Sequence, residues 1–379
     1  MILRKLRATK KEIIFFLLGY LIAHFLDLRR LLDQRNLILK LEHEIEEEIV
    51  DHHNKIIEEI PERVEEETKE LTITEECIQK LDPEKFDFQQ LTNLRVEDPD
   101  SFTAKKASTF LLTLIMTGPF FVEKRNTIRE TWLKNNPVDT KHFFVIGTKN
   151  IPRHSLGDLN RENQKHKDLL LIRELEDSYD NLSLKLLHMV TWAYDNIDFK
   201  FLFKADDDTF ARIDQVFDAL QDEVYDKYLY WGYFYGKGSV KKTGQWAEHD
   251  WFLCEHYLPN ARGGGYVISK ELAGYVSRNS ALLQTYKSED ITMGTWMAPL
   301  KFNRLHDIRF DTEFESRGCH NSWLVTHKQT EDMMRDKFKI LDATMGKEMC
   351  KTEYSLKHAY EYQWEVPNRQ CCVVNENLP

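Results

Sequence analysis

The sequence predicts an α/β domain with a mainly parallel central sheet over residues 107–379, preceded by a membrane anchor and a stem. Three observations carry this. Short apolar runs alternate with helix-period segments after residue 107, the order that builds parallel sheets. One run, Phe199 to Phe203, leads through Lys204 and Ala205 directly into Asp206, Asp207 and Asp208. The charge also shifts along the chain. Residues 1–40 hold 9 basic and 3 acidic side chains, and residues 41–100 hold 21 acidic and 6 basic, which leaves 101–379 at only −2 of the total −11. The acidity belongs to a segment and not to the domain, so nucleic-acid binding has no compositional support.

Taken in order, Ile13 to Leu26 is the one long apolar run, with Arg4, Lys5, Arg7, Lys10 and Lys11 before it. A cleavable leader has a similar layout, but no small-x-small site follows. The run is short for a bilayer. Its basic flank favours a signal anchor at 13–26, with a cytosolic tail at 1–12, although His24, Arg29 and Arg30 weaken the asymmetry. Residues 27–106 then form an acidic lumenal stem. Leu31, Ile38 and Ile45 recur every seven residues, which permits a coiled coil and a homo-oligomer joined through the stem. Arg35, Glu42, His52 and Pro61 interrupt the pattern and favour a solvated, partly helical tether. Thiols oxidise on the lumenal side, so disulfides are expected among Cys77, Cys254, Cys319, Cys350, Cys371 and Cys372. No CxxC pair suggests a zinc ribbon, the pairing stays open, and Cys77 is either free or intermolecular.

Within the domain, Thr109 to Met116 reads as a buried strand, Val122 to Leu133 as a helix and His142 to Gly147 as a second strand. Asp168 to Ile172 is a third strand. Asn181 to Asn196 is a helix with Leu182, Leu186, Met189, Val190 and Ala193 on one face. The Phe199 strand and its aspartates follow. Farther on, Gly263, Gly264 and Gly265 precede the apolar run Tyr266 to Ile268. Ser288, Glu289 and Asp290 open a helix from Ile291 to Met297, and His327 ends the apolar run that begins at Trp323. No Gly-x-Gly-x-x-Gly or P-loop is present.

Strand ends in open α/β sheets are where ligands bind. Three adjacent carboxylates there repel one another unless a cation shares them, and carboxylate oxygens suit magnesium, manganese or calcium. An EF-hand is excluded, because Phe210 and Ala211 stand where a further ligand and a glycine belong. A solvated acidic turn stays open. Arg125 and Arg129 share one helix face, as a fork for phosphate or as an exposed pair bridged to Glu123 or Glu130. Lys185 and Lys204 either meet a diphosphate or balance nearby acids. Asn181 begins the chain's one glycosylation sequon and is equally placed as a helix cap, the reading favoured here. The glycine triplet allows close backbone approach to a ligand, or is a plain turn. Glu289 and Asp290 are dipole partners of a first turn or hold a general base. His327 is structural or a metal ligand.

The order of these motifs is recognisable. Arg125, Arg129 and Trp132; Asp177, Tyr179, Asn181 and Leu182; Lys204 with the aspartates; Gly263 to Gly265; and Glu289, Asp290 and Gly294 together resemble the inverting β-1,3-glycosyltransferase family across 107–379. Tyr228 to Gly232, His306 to Thr312, Ser316 to Cys319, Leu324 to Gln329 and Gln370 to Cys372 are similar to its galactosyltransferase branch of the glycosaminoglycan linkage region. The resemblance implies a GT-A type nucleotide-sugar-binding domain on a type II, single-pass Golgi membrane anchor, with the catalytic domain lumenal. It implies galactose transfer from UDP-galactose, with inversion, in β-1,3 linkage to galactosyl-xylosyl-serine of a proteoglycan core protein. It further implies Mn2+ or a similar dication on Asp208, His327 and Asp206. The donor would be held by Arg125, Arg129, Lys185, Asp206, Asp207, Gly264 and Gly265. Asp290 is the implied base, with Glu289 the alternative. A sister transferase using another sugar or acceptor shares every motif. A non-catalytic relative is expected to lose the aspartates or the base, and this chain keeps both.

Overall fold

The structure is a computed structural model that describes residues 106–376 and 378, apart from 135 and 222–226. The tail 1–12, the anchor run 13–26, the stem as far as 105 and Cys77 lie outside the described residues. Among the described residues no helix is long and apolar enough to cross a membrane.

The first half alternates as its apolar periods require: β1 (Ala107–Met116), α1 (Val122–Glu130), β2 (Thr140–Gly147), α2 (Arg153–His166), β3 (Leu169–Ile172), α3 (Leu182–Asn196) and β4 (Ile197–Asp206). A short β5 (Phe210–Ala211) and α4 (Ile213–Gln221) lead to β6 (Leu229–Tyr235). Then come β7 (Asn260–Ser269), α5 (Lys270–Arg278), α6 (Glu289–Met297) and β8 (Asn303–His306). The main sheet runs β3-β2-β1-β4-β7-β6-β8. Its first four strands are parallel, and β8 is parallel to β6. Only β7 reverses, antiparallel to both β4 and β6.

Both faces of the sheet are covered, which is why β1 and the second half of β4 are buried on both sides, while β4 alternates only at its start, with Asp198 and Lys200 exposed. Leu111, Ile115, Phe201, Phe203 and Ala205 pack into one core, and Leu112, Leu114, Met116 and Leu202 into the other. Helix α1 stops three residues before the expected Leu133. The Thr131 hydroxyl turns back onto the Thr127 carbonyl at 2.6 Å and competes with continued helix.

Two features place the site. The chain leaves β1 toward β2 and β3, then returns to β4 on the other side of β1, so the strand order reverses between β1 and β4. The crevice outside their carboxyl ends is the topological switch point, where ligands of open α/β sheets bind. Met116 and Asp206 stand opposite each other there. The second feature corrects an expectation. The glycine triplet lies inside the ten-residue strand β7, with Gly265 opposite Ala205, and does not precede it. Antiparallel β7 therefore brings its glycines to the same edge as the aspartates.

Candidate active site

At the end of β4 the three aspartates diverge. Asp207 turns toward β1, taking the Thr117 hydroxyl at 2.7 Å and the Lys124 ammonium at 2.7 Å. Burial raises its pKa, with Lys124 opposing. Asp206 and Asp208 point the other way, toward His327 just after the short strand Val325–Thr326. His327 Nε2 lies 3.0 Å from Asp208 Oδ1 and 3.6 Å from Asp206 Oδ2. All three ligand atoms fall within 4.8 Å of one another. Asp208 Oδ2 also meets Lys328 Nζ at 3.0 Å. Burial pushes the Asp208 carboxyl upward, but the His327 imidazole and the Lys328 ammonium beside it hold it below the usual carboxylate range.

Whether these residues fit a metal is decided by the imidazole. Its Nδ1 is 3.0 Å from the Glu313 carbonyl, which can only accept, so Nδ1 carries a proton. In the neutral ring Nε2 then presents a lone pair to two carboxylates, and it is buried without a well-aligned hydrogen-bond partner. That arrangement is repulsive until a metal cation, or a proton on Nε2, lies among the three. Burial lowers the His327 pKa, yet the two aspartates raise it overall. Two carboxylates and an imidazole oriented by a backbone carbonyl form a dication's donor set. Gly264 is part of it, because a Cβ there would stand 2.5 Å from His327 Cγ. What approaches Gly264 is the His327 imidazole.

Beside the triad, Lys204 is fully buried with its Nζ 2.8 Å from Asp206 Oδ1 and 2.5 Å from Glu289 Oε1. Burial alone would strip its proton, but Asp206 and Glu289 reverse the shift and keep it a cation. The second Glu289 oxygen takes the Tyr266 hydroxyl at 3.2 Å. Burial raises the Glu289 pKa against the pull of Lys204, with Asp290 and Asp206 adding to the rise. Gly263 leaves room for this carboxylate, since a Cβ would come within 2.6 Å of Glu289 Oε1. Asp290, in the first turn of α6, is half-buried. The Ile291 N–H bonds one of its oxygens at 2.9 Å and the Asn260 amide the other at 3.1 Å. Of the two acids, Asp290 keeps lone pairs open to a substrate, whereas Glu289 is enclosed by Lys204 and Tyr266.

The other predicted cations are placed differently. Arg125 is fully buried, its fork closed on both Glu162 oxygens at 2.8 and 2.7 Å, and its Nη1 bonds the Gly118 carbonyl at 2.7 Å. Arg129 closes on Asp168 at 2.8 and 2.9 Å and on Glu162 at 2.7 Å. This corrects the expectation of phosphate-facing forks, and equally that of bridges to Glu123 or Glu130. A buried guanidinium requires a carboxylate, and α2 and the start of β3 supply it. Lys185 likewise bonds Asp177 at 2.7 Å and the Thr117 carbonyl at 2.6 Å, so it holds the end of β1 and presents no free ammonium. Gly265 packs against Val325 and Phe203.

Asn181 stands at the N-cap of α3 without capping it and donates instead to the Glu176 carbonyl at 3.0 Å, which corrects the favoured cap. Ser183 of the same sequon is buried, bonding the Tyr286 carbonyl and Thr292 Oγ1. Sequence reasoning missed Lys124 and Lys328, which with Lys204 are the ammonium groups that reach the aspartates. Each is adjacent to a residue already singled out, Arg125 and His327, and neighbouring position was the one signal available.

Comparison with known proteins agrees with this geometry. The Galactosyltransferase family model matches residues 123–307. The chain is 42% identical over 280 residues to β-1,3-galactosyltransferase 6 of Mus musculus, across 72% of this chain and 86% of the relative. UDP-GalNAc:β-1,3-N-acetylgalactosaminyltransferase 2 of Xenopus laevis is 35% identical over 193 residues, across 51% of this chain and 37% of its own length. A probable β-1,3-galactosyltransferase 5 of Arabidopsis thaliana is 28% identical over 238 residues, across 59% of each chain. An α/β glycosyltransferase fold with its carboxylates at the switch point, matched by the family model and nearly spanning a 42% identical member, places this chain in the galactosyltransferase family as a galactosyltransferase.

Proposed function

We propose that this chain transfers galactose from UDP-galactose to the 3-hydroxyl of galactosyl-xylosyl-serine on proteoglycan core proteins. The transfer inverts the anomeric carbon, uses Mn2+ in a GT-A type domain, and takes place in the Golgi lumen from a type II anchor. The observation that carries the reading is the Asp206, Asp208 and His327 set at the switch point, with the half-open Asp290 carboxylate on the neighbouring α6. The name of the Mus musculus relative supports galactose and the β-1,3 linkage. The narrower motif resemblance supports the acceptor, and the basic flank of 13–26 supports the anchor.

The chemical difficulty is an anionic diphosphate leaving group combined with a weakly nucleophilic alcohol. A divalent ion held by Asp206, Asp208 and His327 would supply positive charge to the departing diphosphate. Lys204 fixes Asp206 from behind, and the Glu313 carbonyl fixes the imidazole tautomer. Asp290 accepts the acceptor's hydroxyl proton as the oxygen bonds the anomeric carbon. The bond from that carbon to the diphosphate oxygen breaks on the opposite face, and its electron pair leaves with UDP.

The test is a panel of UDP-sugars offered with a synthetic galactosyl-xyloside, with and without EDTA. Galactose transfer in β-1,3 linkage, lost with EDTA and lost in Asp208→Asn, is expected. Preference for an N-acetylhexosamine, rejection of the xyloside or full activity in EDTA would overturn the corresponding part of the reading.

A further inference from the structure

We infer that Tyr179, Trp246 and Phe314 form a stacking subsite for the acceptor sugar; this rests on the proposed transfer and adds the residues that hold its acceptor. The three come from distant parts of the chain and meet at the surface. The Trp246 and Phe314 rings are 5.0 Å apart at 81°, and the Trp246 indole N–H donates to the Tyr179 hydroxyl. Phe314 is 62% exposed and Tyr179 43%, while tryptophans such as Trp231 and Trp323 are fully enclosed. Other rings such as Phe120 and Phe252 are exposed too, but Tyr179, Trp246 and Phe314 meet as one cluster, and clustered aromatic surface in water is surface that a ligand covers.

Their position says which ligand. On one side, Lys328 Nζ lies 5.6 Å from the Phe314 ring centre and 3.0 Å from Asp208 Oδ2. The residue before Phe314 supplies the carbonyl that orients His327. On the other side, Asp180, next to Tyr179, pairs with Lys287, three residues before Asp290. The aromatic cluster thus bridges the metal-ligand side and the side carrying the base, between which an acceptor hydroxyl must lie.

The cluster is not required to hold its loop. The segment between β6 and β7 is anchored by Trp251 and Tyr257, packed with Tyr286 and Ile291. It is anchored again by buried Glu248, which takes the Lys287 N–H at 2.6 Å. Trp246 is left at the rim. A pyranose has one face of C–H groups and an edge of hydroxyls, so it stacks on an aromatic ring while bonding polar groups beside it. Here those groups are the Tyr179 hydroxyl and the side chains of Asp180 and Lys287. The ligand class is therefore a neutral glycoside.

The experiment compares Trp246→Ala, Phe314→Ala and the conservative Trp246→Phe in the full chain. Initial rates give separate KM values for a synthetic galactosyl-xyloside and for UDP-galactose. Both alanine variants should raise the acceptor KM by about tenfold and leave the donor KM within about twofold, with Trp246→Phe recovering most of the loss. An acceptor KM unchanged in both alanine variants overturns the subsite. A donor KM rising in step with the acceptor KM also overturns it and assigns the cluster to the nucleotide or to general structure. A wild-type chain that transfers nothing to the xyloside removes the functional reading and the subsite with it, an outcome distinct from an active wild type with indifferent variants.

Discussion

Asp290 and Glu289 are adjacent in sequence, and the sequence alone ranks them only by family resemblance. The structure separates them by environment. Glu289 is buried against Lys204 and Tyr266, and Asp290 is held by two neutral N–H donors and reaches solvent. Asp290→Asn should therefore lower kcat by about 10²–10⁴-fold while the KM for UDP-galactose stays near wild type. Glu289→Gln should chiefly lower the melting temperature, because it leaves the buried Lys204 with one carboxylate partner in place of two. Steady-state kinetics and a thermal melt on the two variants decide the matter, and a larger kcat loss from Glu289→Gln would move the base by one position. Gly264 makes the same point at the metal ligands. With a Cβ 2.5 Å from His327 Cγ, Gly264→Ala must displace the imidazole, and Mn2+ titration of activity should need about tenfold more metal.

The elements were legible wherever a period repeated. The strands β1 and β4 and the helix α3 follow from apolar runs and a 3.6-residue stripe. Arg125 and Arg129 do share one face of α1, but the carboxylates they face belong to α2 and the start of β3, and no local pattern announces them. Strand β8 carries a further case. His306 accepts the Phe234 N–H of β6 at 3.0 Å through Nδ1, and its Nε2–H bonds the Tyr360 carbonyl at 2.8 Å, in the strand Tyr360–Tyr362. Both contacts require the neutral ring, and burial lowers its pKa from 6.5 to about 4. Between these values the unfolded chain binds more protons than the folded one, so stability rises with pH. The protein should hold full stability above about pH 6.5 and lose about 3 kcal/mol as pH falls to about 4. Urea titrations across that window should show the loss in wild type and a flatter profile in His306→Asn.

At the scale of the whole molecule, oxidation was expected and the partners were open. Among the described residues Cys319 pairs with Cys350 and Cys371 with Cys372, while the exposed Cys254 has no disulfide partner. The first bridge closes a separation of 31 residues, joining the strand Gly318–Cys319 to the stretch after α7 (Glu331–Ala343). Removing it with Cys319→Ser and Cys350→Ser together should cost about 3–4 kcal/mol, chiefly by freeing the unfolded chain, as measured by equilibrium denaturation. The proposed topology is tested on the intact chain in sealed microsomes. Protection of the 107–379 domain from added protease until detergent is present is expected, and digestion without detergent would reverse the orientation.

By itself the sequence determined the α/β class, the segmental acidity, the acidic strand end and the family. Each of these is written in neighbouring residues, as a period, a run or an ordered set of short motifs. The tertiary structure decided which charges are occupied. Arg125 meets Glu162 across 37 residues of chain and Lys204 meets Glu289 across 85. Both lysine and arginine are long cations that a sheet edge either exposes to a ligand or buries against a carboxylate. Sequence spacing is the same in either outcome; what differs is desolvation, which depends on every element packed around the group. That is why Arg125, Arg129 and Lys185 turned from donor contacts into supports of the β1 edge. It is also why His327, ambiguous as a lone histidine, stands as a candidate ligand with Gly264, Glu313, Asp206 and Asp208 closed around it.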